Sequence, residues 1–116
     1  MQTRVAVVIL LALLATVAYA QNRGTELRTV QGTVVDKQES PSDSAVVYLK
    51  NTRTQDVKTY IANRGQFRFS GLDPNVDYEI HAEFEETASA VRTISSFDTR
   101  KIIIVTLKLD RKRNPR

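Results

Sequence analysis

The feature that most constrains this chain is the alternation of apolar and polar residues through 63–82, which reads N-R-G-Q-F-R-F-S-G-L-D-P-N-V-D-Y-E-I-H-A. Successive side chains of an extended strand point to opposite faces, so a period of two specifies strands with one buried face. Phe67 and Phe69 share a face of one strand; Tyr78, Ile80 and Ala82 share a face of the next. Gln66, Arg68, Ser70, Asp77, Glu79, His81 and Glu83 are then expected in water. Gly65 suits a positive-φ turn, Ser70-Gly71 breaks the first strand, and Pro74 belongs in the corner because it cannot donate to a ladder. A tyrosine just past such a corner can bury its ring while its hydroxyl bonds nearby backbone.

The same period runs through the rest of the chain. A first strand over 27–36 places Val30, Gly32 and Val34 on one face, and Gly32 inside it implies a bulge or the close approach of another backbone. Turn chemistry at Ser40-Pro41-Ser42-Asp43 leads to a strand over 45–51 with Ala45, Val47 and Leu49 inward. A third strand over 57–62 is expected to turn Val57, Thr59 and Ile61 inward. After a polar connection at Glu85-Glu86 comes a weaker strand over 89–94, then the β-branched stretch 101–109. About seven short strands with turn signals between them predict an all-β, antiparallel immunoglobulin-like or transthyretin-like sandwich.

Residues 1–20 stand apart from that pattern. Arg4, an apolar run over 5–17 and Ala18-Tyr19-Ala20 read as a helical signal peptide for the Sec pathway, with a retained membrane anchor as the rival reading. Cleavage after Ala20 takes 20 of the 116 residues and leaves 96, enough for one domain with its own core. The chain contains no cysteine, so no disulfide or lipid attachment through cysteine enters the fold. An exported domain without disulfides fits a bacterial protein better than a small animal ectodomain. The expected layout is a signal peptide at 1–20, a polar leader at 21–26, the sandwich at 27–110 and a basic tail at 111–116. Without Arg4 there are 16 Lys and Arg against 13 Asp and Glu, a net of +3, and four of those cations lie in the tail. The domain itself is close to neutral, which argues against a nucleic-acid surface.

The ordered set Val30-x-Gly32-x-Val34-x-Asp36, Pro41, Ala45-x-Val47-x-Leu49-x-Asn51, Gly65-x-Phe67-x-Phe69-x-x-Leu72-x-Pro74 and Tyr78-x-Ile80-x-Ala82 resembles the carboxypeptidase regulatory-like domain. The resemblance covers 27–82 by motif and the later strands by pattern. It implies a transthyretin-like sandwich that is not itself catalytic. Such domains accompany metallocarboxypeptidase catalytic domains or sit in bacterial cell-surface and outer-membrane proteins. The departures from the family pattern lie in turns: Pro74-Asn75-Val76-Asp77 lacks a Pro-Gly pair, and Glu83-Phe84-Glu85-Glu86 lacks a Gly-aromatic pair.

The residues supply little for catalysis. A zinc peptidase site needs at least three protein ligands and a base, and the chain has one histidine, His81, set among outward carboxylates on a strand. Glu85-Glu86 reads as a solvated loop, because paired acid/base carboxylates must sit across a substrate. No cofactor or metal is expected. The expected function is an exported structural or protein-interaction module with an unknown protein or cell-envelope partner, periplasmic or at the cell surface. The alternative is a weak carbohydrate-binding module using Tyr48 and Tyr60, both expected outward. Ile102 and Ile104 face away from Ile103, Val105, Leu107 and Leu109. The plainer reading covers that strand on both sides; the other gives a partner an apolar edge to extend. Arg100, Lys101 and Lys108 flank it as gatekeepers, and the tail reads as a solvated terminus.

Overall fold

The computed structural model describes residues 26–115, so the signal-peptide expectation and most of the polar leader lie outside the described residues. Eight strands follow one another without a helix among the described residues: β1 (Arg28–Val35), β2 (Val46–Asn51), β3 (Val57–Ile61), β4 (Gln66–Leu72), β5 (Tyr78–Phe84), β6 (Thr87–Ser89), β7 (Arg92–Ile94) and β8 (Ile102–Lys112). The first sheet runs β4-β1-β8. The second runs β3-β2-β5, with β6 and β7 both on the far edge of β5. β8 belongs to both sheets: it pairs with β1 as far as Lys108 and with β6 from Leu109 onward.

The inward faces are those the alternation predicts. Val30, Val34, Ala45, Val47, Leu49, Phe67, Phe69, Tyr78, Ile80, Ala82, Ile103, Val105, Leu107 and Leu109 all belong to one buried cluster. Val76, in the corner between β4 and β5, joins them although it lies outside any strand. The corner closes as expected, with the Asp73 N–H donating to the Tyr78 hydroxyl at 2.9 Å. Gly65 turns at φ 79° against Pro41 and the Val34 carbonyl, where a Cβ would be crowded. Gly32 permits the anticipated close approach: a Cβ there would collide with the Val105 carbonyl oxygen of β8.

Several expectations change in three dimensions. The β1–β8 ladder is parallel, while the other six ladders are antiparallel. Ser70-Gly71 does not end β4. Those two residues face the single Thr29 of β1, and the bulge, with Gly71 at φ 72°, returns Leu72 to the core. The weak strand over 89–94 divides into β6 and β7 at Ala90-Val91, and Glu85-Glu86 forms the tight turn from β5 to β6, with Glu85 at φ 54°.

The third strand is the clearest correction. Val57, Thr59 and Ile61 do not face inward; every residue of β3 is exposed. Val47 lies opposite Tyr60 and Leu49 opposite Lys58, so the inward side of β3 carries Lys58 and Tyr60. β3 is an edge strand, and neither of its faces is fully covered.

Candidate functional site

β8 alternates without exception along its first half. Ile103, Val105 and Leu107 are buried, while Ile102 is 53% and Ile104 69% exposed on the outer face of the first sheet. The ladder with β1 also fixes which backbone groups are free. Thr29 N–H donates to the Lys101 carbonyl at 2.8 Å, and Thr29 stands opposite Ile102. In a parallel ladder both polar groups of one residue point the same way and alternate along the strand. The odd-numbered residues of β8 therefore bond to β1, and the N–H and C=O of Ile102, Ile104 and Thr106 point to the other edge. Among the described residues no strand pairs that edge before Leu109, and these three residues make no backbone bond outside the ladders. The covered-strand reading therefore fails: the outer face of β8 is largely exposed, and each part pairs along one edge only, with β1 as far as Lys108 and with β6 from Leu109. The first half presents unpaired backbone beside two exposed isoleucines.

Two cations bracket this edge, Arg100 in the loop before β8 and Lys108 within the strand. Arg100 forks onto Asp98, its Nη2 2.6 Å from Oδ2, and Lys108 Nζ lies 3.0 Å from Glu39 Oε1. The hydrogen bonds from Arg100 hold the Asp98 carboxyl down at about 2, and the bond to Glu39 raises the Lys108 ammonium above its ordinary value. Lys101, beside Arg100, pairs with Glu26 at 2.7 Å. The Lys101 and Lys108 pairs are exposed single contacts and weakly held, whereas the Arg100 fork rests on a carboxylate that is 25% exposed.

Tyr48 and Tyr60 do not form one platform. Tyr48 faces outward on β2, as expected, and stacks on His81 with centroids 5.0 Å apart and planes 14° apart. Tyr60 turns to the inner side and meets Phe69 edge-on at 5.9 Å, a correction to its outward placement. The whole thickness of the second sheet separates the two rings. Glu83 also departs from expectation. It is buried on the outer face, with Oε2 3.2 Å from His81 Nε2, between that ring and the chain at 111–115. Among the described residues no group of three or more histidine or carboxylate side chains is placed to share a metal ion.

Arg28 carries a role that the alternation alone did not suggest. The parity that turns Val30 and Val34 inward turns Arg28 inward too, and it is 3% exposed at the end of the sandwich. Its Nη1 donates to the carbonyls of Ser95 at 2.8 Å and Asp98 at 3.2 Å, and its Nη2 to Val76 at 3.1 Å. One guanidinium thereby ties the β4–β5 corner to the β7–β8 loop that delivers Arg100 and Ile102. Asp77 is held there as well: the Ser96 N–H, 2.6 Å away, lowers its carboxyl below the ordinary range.

Residues 29–108 match the family described as the carboxypeptidase regulatory-like domain, a span reaching from β1 to Lys108, the last residue of β8 that pairs with β1. The chain belongs to this family. As a carboxypeptidase regulatory-like domain it shares its sandwich with proteins of other kinds. Catechol 1,2-dioxygenase from Acinetobacter sp. ADP1, inhibited by bound mercury, superposes with a TM-score of 0.55 at 12% identity over 78% of this chain and 54% of that one. Catechol 1,2-dioxygenase from Pseudomonas arvilla C-1 gives 0.53 at 12% identity over 81% and 57%. The pilus backbone RrgB of Streptococcus pneumoniae gives 0.49 at 20% identity over 80% and 22%. The regulatory-like domain thus spans little more than half the length of the two dioxygenases, and at 12% identity it shares a fold with them. No curated protein matches the sequence.

Proposed function

We propose that this carboxypeptidase regulatory-like domain is exported and serves, without catalysis of its own, as a structural or protein-interaction module. The observation that carries the reading is the half-open strand β8, where Ile102 and Ile104 stand exposed beside backbone that nothing among the described residues pairs. A free, uncharged edge is the element that β-strand addition uses, with main-chain bonds giving affinity and alternate side chains giving selectivity. The sequence at 1–20 supports export through the Sec pathway to the periplasm or cell surface.

The test is site-specific photo-crosslinking of the full chain expressed in a bacterial host. A crosslinking residue placed at Ile104 is expected to give a discrete adduct in the envelope or medium. The same residue at Ile61, equally exposed on β3, is expected to give none. Adducts of equal yield at both positions, or at neither, would remove the interaction reading. N-terminal sequencing of the same material is expected to begin at Gln21; a chain still starting at Met1 would remove export by cleavage. Chromogenic peptides and esters are expected to remain intact, and turnover that a chelator abolishes would overturn the non-catalytic reading.

A further inference from the structure

Resting on the interaction reading above, we infer that the free edge of β8 accepts an extended strand of a partner protein whose alternate residues run acidic, apolar, apolar, small, acidic. The outer face of β8 carries Ile102, Ile104, Thr106 and Lys108, and Arg100 stands two residues before the strand, so a cation lies at each end of two isoleucines and a threonine. A strand bonded to the free N–H and C=O groups of Ile102, Ile104 and Thr106 would set its own outer-face side chains directly against those of β8 and bring one end beside Arg100. Opposite charges across a strand pair stabilise it and like charges oppose it. A carboxylate at one end of the incoming strand would therefore take over Lys108 from the exposed Glu39, and one at the other end would share Arg100 with Asp98.

The same charges argue against a second copy of this chain. Antiparallel self-pairing about Ile104 places Arg100 of each copy opposite Lys108 of the other. The other free edges among the described residues offer no better match: β3 carries Lys58, β4 carries Arg68 and β7 carries Arg92, and none contains an acidic residue. Lys58 and Arg68 also guard those edges with a central charge, whereas residues 102, 104 and 106 are uncharged. None of the free strand edges among the described residues supplies the acidic ends, which points to a different protein.

A peptide of about nine residues, long enough to span the free edge, tests this on the whole folded domain. It carries a glutamate at each end, two valines and a threonine at alternate positions between them, and polar residues elsewhere. Amide shifts in two-dimensional NMR are expected to centre on Ile102, Ile104 and Thr106, and the affinity is expected to fall as salt rises. Replacing both glutamates with lysine should weaken binding about tenfold or more, and the double substitution Arg100→Glu, Lys108→Glu should restore it. A peptide N-methylated at alternate amides should not bind. Ile104→Lys should abolish binding while leaving the melting temperature close to wild type. Binding that ignores N-methylation or the charge exchange would overturn the proposal, and so would shifts centred on β3 or β4. Wild-type dimers in sedimentation velocity that Ile104→Lys dissolves would overturn it in favour of self-pairing. If the peptide fails while the crosslink at Ile104 persists, the strand chemistry falls and the interaction reading stands. If both are silent, both fall.

Discussion

Tyr78 does two separable jobs, and substitutions can divide them. Its ring lies in the core and its hydroxyl accepts the Asp73 N–H at 2.9 Å. Tyr78→Phe should cost ~1 kcal/mol, the net value of one partly buried hydrogen bond. Tyr78→Ala should cost ~3–5 kcal/mol by opening a cavity. Urea unfolding of both variants checks this, and equal losses would mean that the hydroxyl contributes nothing. Asp98 makes a second residue-level case. Its carboxyl titrates at about 2, below the ordinary 3.8, first because Arg100 donates side-chain hydrogen bonds to it. A depressed carboxyl favours the folded state above its ordinary value, and that contribution disappears as pH falls from near 3.8 through 2. Carboxyl NMR titration should place the midpoint at about 2, and Arg100→Ala should move it up towards 3.8.

At the scale of the element, β8 combines two kinds of position in one strand. Ile103→Ala should cost ~2–5 kcal/mol, because the side chain is enclosed between the sheets. Ile104→Lys, one residue away, should change stability by about 0.5 kcal/mol or less, as exposed substitutions usually do. Thermal melts of the two variants test the parity of the strand directly, and similar melting shifts would contradict it. β3 shows how an edge strand misleads the same reasoning. V-K-T-Y-I has its stronger apolar residues at Val57 and Ile61, so alternation turned them inward. The register was decided elsewhere, by Val47 lying opposite Tyr60 and by Tyr60 closing the open side of the sandwich over Phe69. With little covering either face, hydrophobicity along β3 carries no information about direction.

For the whole molecule, closure depends on a parallel ladder between the first strand and the last. Removing the chain after Arg100 would forfeit the burial of Ile103, Val105, Leu107 and Leu109. Each contributes about 1.5–3 kcal/mol, and together they rival the ~5–15 kcal/mol that holds a typical domain folded. The truncated chain should give the circular dichroism of an unfolded protein, and a cooperative melt would contradict that. The closure also pairs residues from opposite ends of the domain, so stopped-flow refolding should fall in the slow, millisecond-to-second class of β-sandwiches. Much of this molecule was already written along the chain: the inward faces of β1, β2, β4, β5 and β8, the turn at Gly65, the tyrosine corner and the tight spot at Gly32. Those are local consequences of period two, of glycine's missing side chain and of proline's missing donor, and they hold whatever lies nearby. The parallel partner of β8, its half-open edge, the direction of Tyr60, the burial of Glu83 and the tie made by Arg28 were settled only by tertiary structure. Alternation distinguishes two faces of a strand. It cannot say which edge will find a partner or which polar group a distant loop will cover, because those neighbours come from residues far away in the sequence.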